Sequence, residues 1–241
     1  MSLMQALAGD PLAPVITWRS TATDGLSASS NRTVTLDIGP ESSDRWVIVH
    51  IEYTGTTLLA SHTITLSSMT INGVTPTYAY IGTSNTSIQT LGGAIVYAKM
   101  PNGSGSGLVT VNAVLTVTSG GTPSITCRFH SWTVTGRQIL SYVTRETSGT
   151  LSGVTTMTNA STCPSFGFLI NVCYVFNSGV SDGVNIWSGT GAGEDYHNST
   201  GGASFVSTYN GTRKLSQSLS TTATISAART GALNAYSWTY I

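Results

Sequence analysis

Residues 46–51 read Trp-Val-Ile-Val-His-Ile, and residues 168–175 read Phe-Leu-Ile-Asn-Val-Cys-Tyr-Val. Both are short apolar runs rich in β-branched and aromatic residues, which is typical of strands buried in a sheet. The same landmarks follow each run in the same order. They are Met69–Gly73 and Val184–Gly189, then Gly92-Gly93-Ala94 and Gly201-Gly202-Ala203, then Ser131-Trp132-Thr133 and Ser237-Trp238-Thr239.

These paired landmarks indicate an internal repeat whose unit is a whole small domain rather than one turn of a solenoid. We therefore predict an all-β chain made of two tandem antiparallel β-sandwich domains of jelly-roll type. The predicted bounds are 15–137 and 138–241, after an N-terminal segment of residues 1–14. Both halves should have the same strand order, with Trp132 and Trp238 on equivalent strands.

The composition supports this fold class and excludes some partners. The 241 residues include 39 Thr, 33 Ser and 26 Gly, which favour strands and turns. Only 8% of residues are charged, the formal net charge is zero, and the basic residues cluster only at Arg213-Lys214. Nucleic acid is therefore not an expected partner.

A surface rich in hydroxyl groups and poor in charges can pack against neighbours without desolvating ions. We therefore predict a homo-oligomer. A trimer is the simplest form, because two similar domains in each chain would give it a pseudo-sixfold face.

Strand-like runs separated by turn residues cover both halves. In the first half they are Val15–Thr23, Arg32–Ile38, Asp44–Tyr53, Met69–Ile71, Thr75–Tyr80, Gly93–Met100, Leu108–Val117 and Ile125–Val134. In the second half they are Val154–Met157, Phe166–Phe176, Val184–Trp187, Ser204–Tyr209, Leu219–Ile225 and Leu233–Ile241. Asn72-Gly73 is the strongest hairpin signal and predicts a tight turn between its two flanking runs.

The N-terminal segment has a different character from the rest of the chain. It carries four apolar anchors and is interrupted by Gly9, Pro11 and Pro14; the anchors are Leu3, Met4, Leu7 and Leu12. We expect an assembly arm that docks on another surface, with a loose terminus as the alternative. The segment lacks the basic start of a signal peptide, and no run is long enough to span a membrane, so we expect synthesis in the cytoplasm and no membrane partner.

Few residues have a pattern that indicates catalysis. The cysteines Cys127, Cys163 and Cys173 show no metal-ligand spacing, so we expect no metal, cofactor or disulfide. The densest polar cluster is Glu194-Asp195-Tyr196-His197, which could hold a cation or form the centre of a hydrolase. The preferred interpretation is a polar loop between strands and a protein that is not an enzyme.

Polar and aromatic residues also share faces of predicted strands. His50 and Glu52 lie two apart on one strand, an arrangement common in solvated strands. Aromatic rows occur on two further strands: Trp132 with Arg128 and His130, and Tyr236, Trp238 and Tyr240 with Asn234. Such rows either stack on the sugar rings of a host-surface glycan or pack at an interface between sheets, domains or subunits, and packing is the preferred interpretation.

The stretch from Arg32 to Gly136 resembles a diffuse group of bacteriophage and prophage virion proteins. The resemblance lies in five ordered motifs: Arg32–Leu36 (R-T-V-T-L), Ser43–Val49 (S-D-R-W-V-I-V), Met69–Val74 (M-T-I-N-G-V), Val96–Pro101 (V-Y-A-K-M-P) and Ser131–Gly136 (S-W-T-V-T-G). The second half departs from the pattern, because no Asp-Arg pair precedes Phe168. No catalytic residue comes with the resemblance.

This resemblance implies a β-sandwich structural component of a phage head, collar or tail, such as a decoration protein. Its partners would be further copies of itself and other virion proteins. Two alternatives remain: a carbohydrate-binding module for host attachment that uses the aromatic rows, and a hydrolase centred on Glu194, Asp195 and His197.

Overall fold

A computed structural model describes residues 14–27, 30–56, 63–82, 90–118, 124–148, 151–176, 186–188, 193–198, 203–210 and 216–241. Fifteen β-strands make up the regular structure of these ranges, and every strand pair is antiparallel. The predicted all-β class is confirmed. Within these ranges no helix is long and apolar enough to cross a membrane. The chain divides into an N-terminal unit, Val15–Thr135, and a C-terminal unit that contains Gly136–Ile241.

The N-terminal unit contains eight strands. They are β1 (Val15–Ser27), β2 (Asn31–Asp37), β3 (Trp46–Thr56), β4 (Thr63–Ile71), β5 (Thr77–Ile81), β6 (Thr90–Lys99), β7 (Leu108–Thr118) and β8 (Ser124–Thr135). One sheet has the order β1-β8-β3-β6-β5 and the other β2-β7-β4. Alternate side chains of both sheets form one apolar core, with Leu36, Val49, Ile71, Val111 and Phe129 among its members.

The C-terminal unit contains the other seven strands. They are β9 (Ile139–Thr147), β10 (Leu151–Cys163), β11 (Gly167–Phe176), β12 (Ile186–Ser188), β13 (Gly193–Asn198), β14 (Ala203–Asn210) and β15 (Gln217–Tyr240). The C-terminal part of β15 pairs with β9 and β11, and β14 and β13 continue the sheet beyond β11. The N-terminal part of β15 pairs with β10 and β12. Met157, Cys173, Ala223 and Leu233 pack together in the core.

The strand order is the same in both units, as predicted. The order β9-β15-β11-β14-β13 repeats β1-β8-β3-β6-β5, and β10-β15-β12 repeats β2-β7-β4. Pairing strands 1, 8, 3 and 6 in one sheet and 2, 7 and 4 in the other is jelly-roll-like, with one departure: β5 joins β6 and not β4. Trp132 lies between Trp18 and Ile48, and Trp238 lies between Tyr142 and Phe168, so the two tryptophans occupy equivalent strands.

Three features of the C-terminal unit differ from the sequence prediction. Strands β9 and β13 were missed, and the runs Leu219–Ile225 and Leu233–Ile241 belong to one strand of 24 residues. Both missed strands pair on one side only within the described residues, which makes them sheet edges. Edge strands carry charged residues that discourage further pairing, and this weakens the apolar alternation by which a strand is recognised.

The Asn72-Gly73 turn forms as predicted, but the hairpin does not continue beyond it. Both residues have positive φ angles, 45° and 81°, and Ile71 and Val74 exchange two backbone hydrogen bonds across the turn. Pro76 follows and cannot donate to a ladder. Strand β5 therefore leaves β4 and pairs with β6.

Candidate functional site

The aromatic rows proposed as a glycan platform are buried. The exposed fraction is 0% for Trp132, 1% for Tyr236, 0% for Trp238 and 4% for Tyr240. Trp238 stacks on Phe168 with ring centroids 5.2 Å apart, and Tyr142 meets it edge-on at 5.7 Å. A ring without exposed surface cannot stack on a sugar, so this geometry favours the packing interpretation.

The acidic cluster lies on strand β13 and not in a loop, which corrects the preferred interpretation of that segment. Glu194 pairs with Ser207 and His197 with Phe205, and the register shifts between Glu194 and Tyr196. The side chains of Glu194, Asp195 and His197 lie outside the described part of the chain. Among the described residues, no group of three or more His, Cys, Asp or Glu is placed to hold a metal ion.

The arm residues Leu3, Met4, Leu7 and Leu12 lie outside the described residues. The described chain begins at Pro14, which is buried. Val15, the first residue of β1, pairs with Thr135 near the end of the N-terminal unit. The starting point of the arm is therefore fixed in the fold.

A row of polar side chains is buried on the face of β3 and β8 opposite to the apolar core. It consists of His50, Glu52, Arg128 and His130, and none is more than 6% exposed. His50 and His130 face each other across the strand pair, with ring centroids 6.1 Å apart. Arg128 Nη1 lies 4.0 Å from Glu52 Oε1. The expectation of a solvated strand for His50 and Glu52 was therefore wrong, because both faces of this sheet are covered.

The surroundings of His130 in this row disfavour its protonated form. The Nδ1 atom of His130 lies 2.7 Å from the hydroxyl oxygen of Thr21 on β1. Burial lowers the pKa of His130 well below its ordinary value, and the neighbouring His50 and Arg128 lower it further.

Arg45, the arginine of the S-D-R motif, joins a first loop at Gly39 and Pro40 to a second loop at Ser104 and Gly105. Its Nη1 donates to the carbonyl oxygens of Gly39 and Pro40 at 2.9 and 3.1 Å, and its Nη2 donates to Ser104 Oγ and the Gly105 carbonyl at 3.1 and 2.7 Å. Burial lowers the pKa of the guanidinium, Glu41 opposes this effect, and Arg19 adds to it. Arginine nevertheless remains charged in proteins, so the motif marks a structural clamp.

An apolar hollow of about 260 Å³ lies in the C-terminal unit where β15 ends. It is lined by Arg137, Phe166, Tyr240 and Ile241. Phe166 and Ile241 are 45% and 62% exposed, and the Phe166 ring meets that of Tyr240 edge-on at 6.4 Å. The hollow is thus a concave apolar surface that is open to contact.

The backbone of Phe166 is strained. Its φ angle is +50°, a region in which a bulky non-glycine residue is an outlier that costs about 1–3 kcal/mol. The turn is tightly packed around this residue: a Cβ atom on Gly167 would clash with Pro164 and would lie 2.6 Å from the Trp238 carbonyl oxygen, and the Phe166 carbonyl accepts a 2.8 Å hydrogen bond from Tyr240 N–H. Sequence reasoning treated Phe166 as the first residue of a strand, and Pro164-Ser165-Phe166-Gly167 was the turn signal that could have identified it.

Comparisons with known proteins give little further guidance. No protein-family model and no curated protein matches the chain. One solved structure, the crystal structure of the STIV MCP, a viral major capsid protein, aligns with 93% of this chain and 97% of its own at 11% identity. The TM-score is 0.28, which does not establish a common fold. The function therefore has to be argued from the residues.

Proposed function

We propose that this protein is a non-enzymatic structural component of a bacteriophage virion and that it acts by protein–protein assembly. The observation that carries the proposal is the jelly-roll strand order present in both units. Double-sheet jelly rolls serve as virus capsid domains, lectins and cupins. The virion role is the one among these that also fits a surface with few charges, and the one that the ordered motifs of residues 32–136 resemble.

The burial of the aromatic rows counts against the lectin alternative. Trp132 and Trp238 occupy equivalent strands, and both are fully buried. The assignment to a phage, rather than to another virus, rests on the resemblance of the Arg32–Gly136 motifs. Within a phage particle a head, collar or tail accessory position, including decoration, is the role proposed.

The proposal is tested on particles purified by density gradient from cells that produce the chain. We expect quantitative mass spectrometry to find the chain in a fixed copy number relative to the major capsid subunit, before and after a high-salt wash. Cryo-electron microscopy of the same particles would then show its position. Recovery of the chain only in the soluble fraction would refute the proposal.

The hydrolase and the glycan-binding alternatives are tested separately, the first with a variant and the second with the wild-type chain. The double variant Glu194→Ala, Asp195→Ala should enter particles at the wild-type level, since the cluster has no proposed part in assembly. The wild-type chain should show no saturable binding on a glycan array. A loss of infectivity in the double variant with normal incorporation would favour the hydrolase, and specific glycan binding would favour the attachment module.

A further inference from the structure

Strand β10 leaves one edge of its sheet open. It pairs with β15 on one side, and no strand of the described residues pairs with its other side. The edge strands β9 and β13 carry charged side chains, but Leu151–Cys163 contains no charged residue and no proline. Charges and proline are features by which edge strands avoid pairing with other chains. The β10 edge lacks this protection.

One hydrogen bond shows which backbone groups of β10 point outwards. Residues 156–163 pair with β15 without a register shift. The N–H of Thr162 donates to Glu146 Oε2 at 2.6 Å, on the side away from β15. The N–H and C=O groups of successive residues in an antiparallel strand alternate between its two sides. Those of Thr156, Thr158 and Ala160 therefore also point outwards.

The pairing of Thr158 with Thr222 on β15 agrees with this alternation. Their hydroxyl oxygens lie 3.0 Å apart. Opposite side chains approach each other most closely where the two residues do not exchange backbone hydrogen bonds, so the backbone of Thr158 faces the open edge. No described residue bonds the outward groups of Thr156, Thr158 or Ala160, and these three side chains are exposed.

The free segment is its own complement, and this selects the partner. The carboxylate of Glu146 occupies Thr162, so the free groups are centred on Thr158. A second β10 that runs antiparallel, related by a two-fold axis at Thr158, places Thr158 opposite Thr158 and Thr156 opposite Ala160. Every free N–H then meets a free C=O, which gives two hydrogen bonds in each opposite pair.

The side chains and charges fit the same arrangement. Thr–Thr pairs across strands stabilise a sheet, and the small Ala160 leaves room opposite Thr156. The two Glu146 carboxylates would lie near the two Thr162 residues, which this register separates by about eight residues, or roughly 26 Å. This distance exceeds the screening length of about 8 Å at physiological salt, so the carboxylates do not repel each other appreciably.

We propose that the β10 strands of two copies pair antiparallel about Thr158 and join their sheets into one. This inference rests on the proposed assembly function and names one of its contacts. The contact consists of backbone groups and small polar side chains, so it is weak in dilute solution and strengthens when chains are held close together in an assembly. A two-fold contact can also join two of the predicted trimers.

Disulfide trapping with full-length variants tests the contact and its register. Backbone groups make the contact, so exchanging a small side chain for cysteine leaves it in place. Thr158→Cys puts two cysteines opposite each other with Cα atoms about 5.5 Å apart, within the range of a disulfide. Thr156→Cys is the matched control, because it is exposed on the same strand but would lie about 13 Å from its copy. The native cysteines are buried, and burial raises the pKa of Cys127 to about 12.

We expect oxidised Thr158→Cys to give at least five times as much linked dimer as Thr156→Cys. An equimolar mixture of Thr156→Cys and Ala160→Cys chains should exceed either variant alone at least threefold, because the two positions lie opposite each other. Equal yields from all samples would mean random collision and would overturn the proposal. A high yield for Thr156→Cys alone would show a different register and would also overturn it.

A charge exchange at Thr158 separates pairing from folding. Thr158→Lys and Thr158→Glu each place like charges opposite each other, so self-association in sedimentation equilibrium at high protein concentration should weaken at least tenfold. An equimolar mixture should associate at least as strongly as the wild type. The position is exposed, so the thermal midpoints should stay close to that of the wild type.

Two results would refute the contact: wild-type association of both charged variants, or a mixture that stays as weak as its components. These measurements use the purified chain without particles, so their failure overturns this contact alone. Absence of the wild-type chain from purified particles would instead refute the proposed function.

Discussion

Arg45 illustrates at the scale of one residue how a charge can be kept inside a sandwich. The side chain has no exposed surface, and its Nη1 and Nη2 donors are met by backbone carbonyls of residues 38–40 and by Ser104 and Gly105. Asn72 supports the second loop by donating to the Ser104 carbonyl at 2.7 Å, and Glu41 accepts from the Gly103 N–H. One side chain thus sets the spacing of two loops.

Replacing Arg45 by Met should therefore destabilise the N-terminal unit. The change leaves several buried carbonyl oxygens without a donor, at about 1–3 kcal/mol for each unsatisfied group. We expect the free energy of unfolding to fall by about 3 kcal/mol or more in urea titrations. Lys99→Met, at an exposed position on β6, is the control and should change it by less than about 0.5 kcal/mol. Equal stabilities for the two variants would contradict the clamp.

His130 should make the stability of the protein depend on pH. Its pKa is lowered in the folded state, so below its ordinary pKa of about 6.5 the unfolded chain binds a proton that the folded chain does not. The contribution of neutral His130 to the free energy of unfolding is therefore fully present above that pH and is lost as the pH falls below it. The charged and titratable neighbours in the row are His50, Arg128 and Glu52.

The expected slope is at most about 1.4 kcal/mol for each pH unit below pH 6.5 from this one group. Urea unfolding at pH 5.0, 6.0, 7.0 and 8.0 measures it. His130→Gln should be less stable than the wild type at pH 8 but should lose less on acidification. If the free energies of unfolding of the wild type and His130→Gln differed by the same amount at every pH, His130 would be excluded as the origin of the pH dependence.

At the scale of elements, turns and edges decide where strands stop and which neighbours they take. Pro76 ends the hairpin at Val74 and allows β5 to join β6, while the charged strands β9 and β13 close the two sides of the C-terminal sheet. In the N-terminal unit β7 and β8 are separate strands, whereas their counterparts form the single strand β15. The two units therefore share a strand order while their connections differ.

The Asn72-Gly73 turn gives a test at this scale. A Cβ atom on Gly73 would meet nothing within 4 Å, so Gly73→Ala changes only the cost of its φ angle of +81°. We expect a loss of about 1 kcal/mol in the free energy of unfolding. Gly25→Ala is the matched control, since Gly25 is equally open and its φ lies outside the left-handed region. The same loss in both variants would mean that the turn conformation does not matter.

At the scale of the whole molecule, each unit pairs its first strand with its last. β1 pairs with β8, and β9 pairs with the end of β15, so much of the sheet forms between residues far apart in sequence. Such topologies fold slowly, and their edges are exposed to mispairing in the meantime. The first described strand begins at Val15.

Deleting residues 2–13 should separate assembly from stability. Pro14 is buried and is therefore retained. We expect a thermal midpoint close to that of the wild type, conversion of the predicted trimer to a monomer in multi-angle light scattering, and loss of incorporation into particles. A truncated chain that unfolds would show that the segment is part of the core. A truncated chain that still assembles would place the contacts on the sandwiches.

The sequence by itself determined the features that depend on local pattern. The all-β class and most strands follow from the alternation of apolar residues and from turn residues such as Asn72-Gly73, because these signals act between near neighbours. The common strand order follows from the paired Ser-Trp-Thr landmarks, because these repeat in both halves. Only the tertiary structure decided that His50 and Glu52 are buried, that β9 and β13 are edge strands, and that Phe166 is a strained residue beside an apolar hollow. Burial depends on what covers a sheet face, edge strands depend on which neighbours a strand has, and the turn at Phe166 packs against the Trp238 backbone as well as against Pro164. Apart from Pro164, these neighbours are distant in sequence, so local pattern does not predict them.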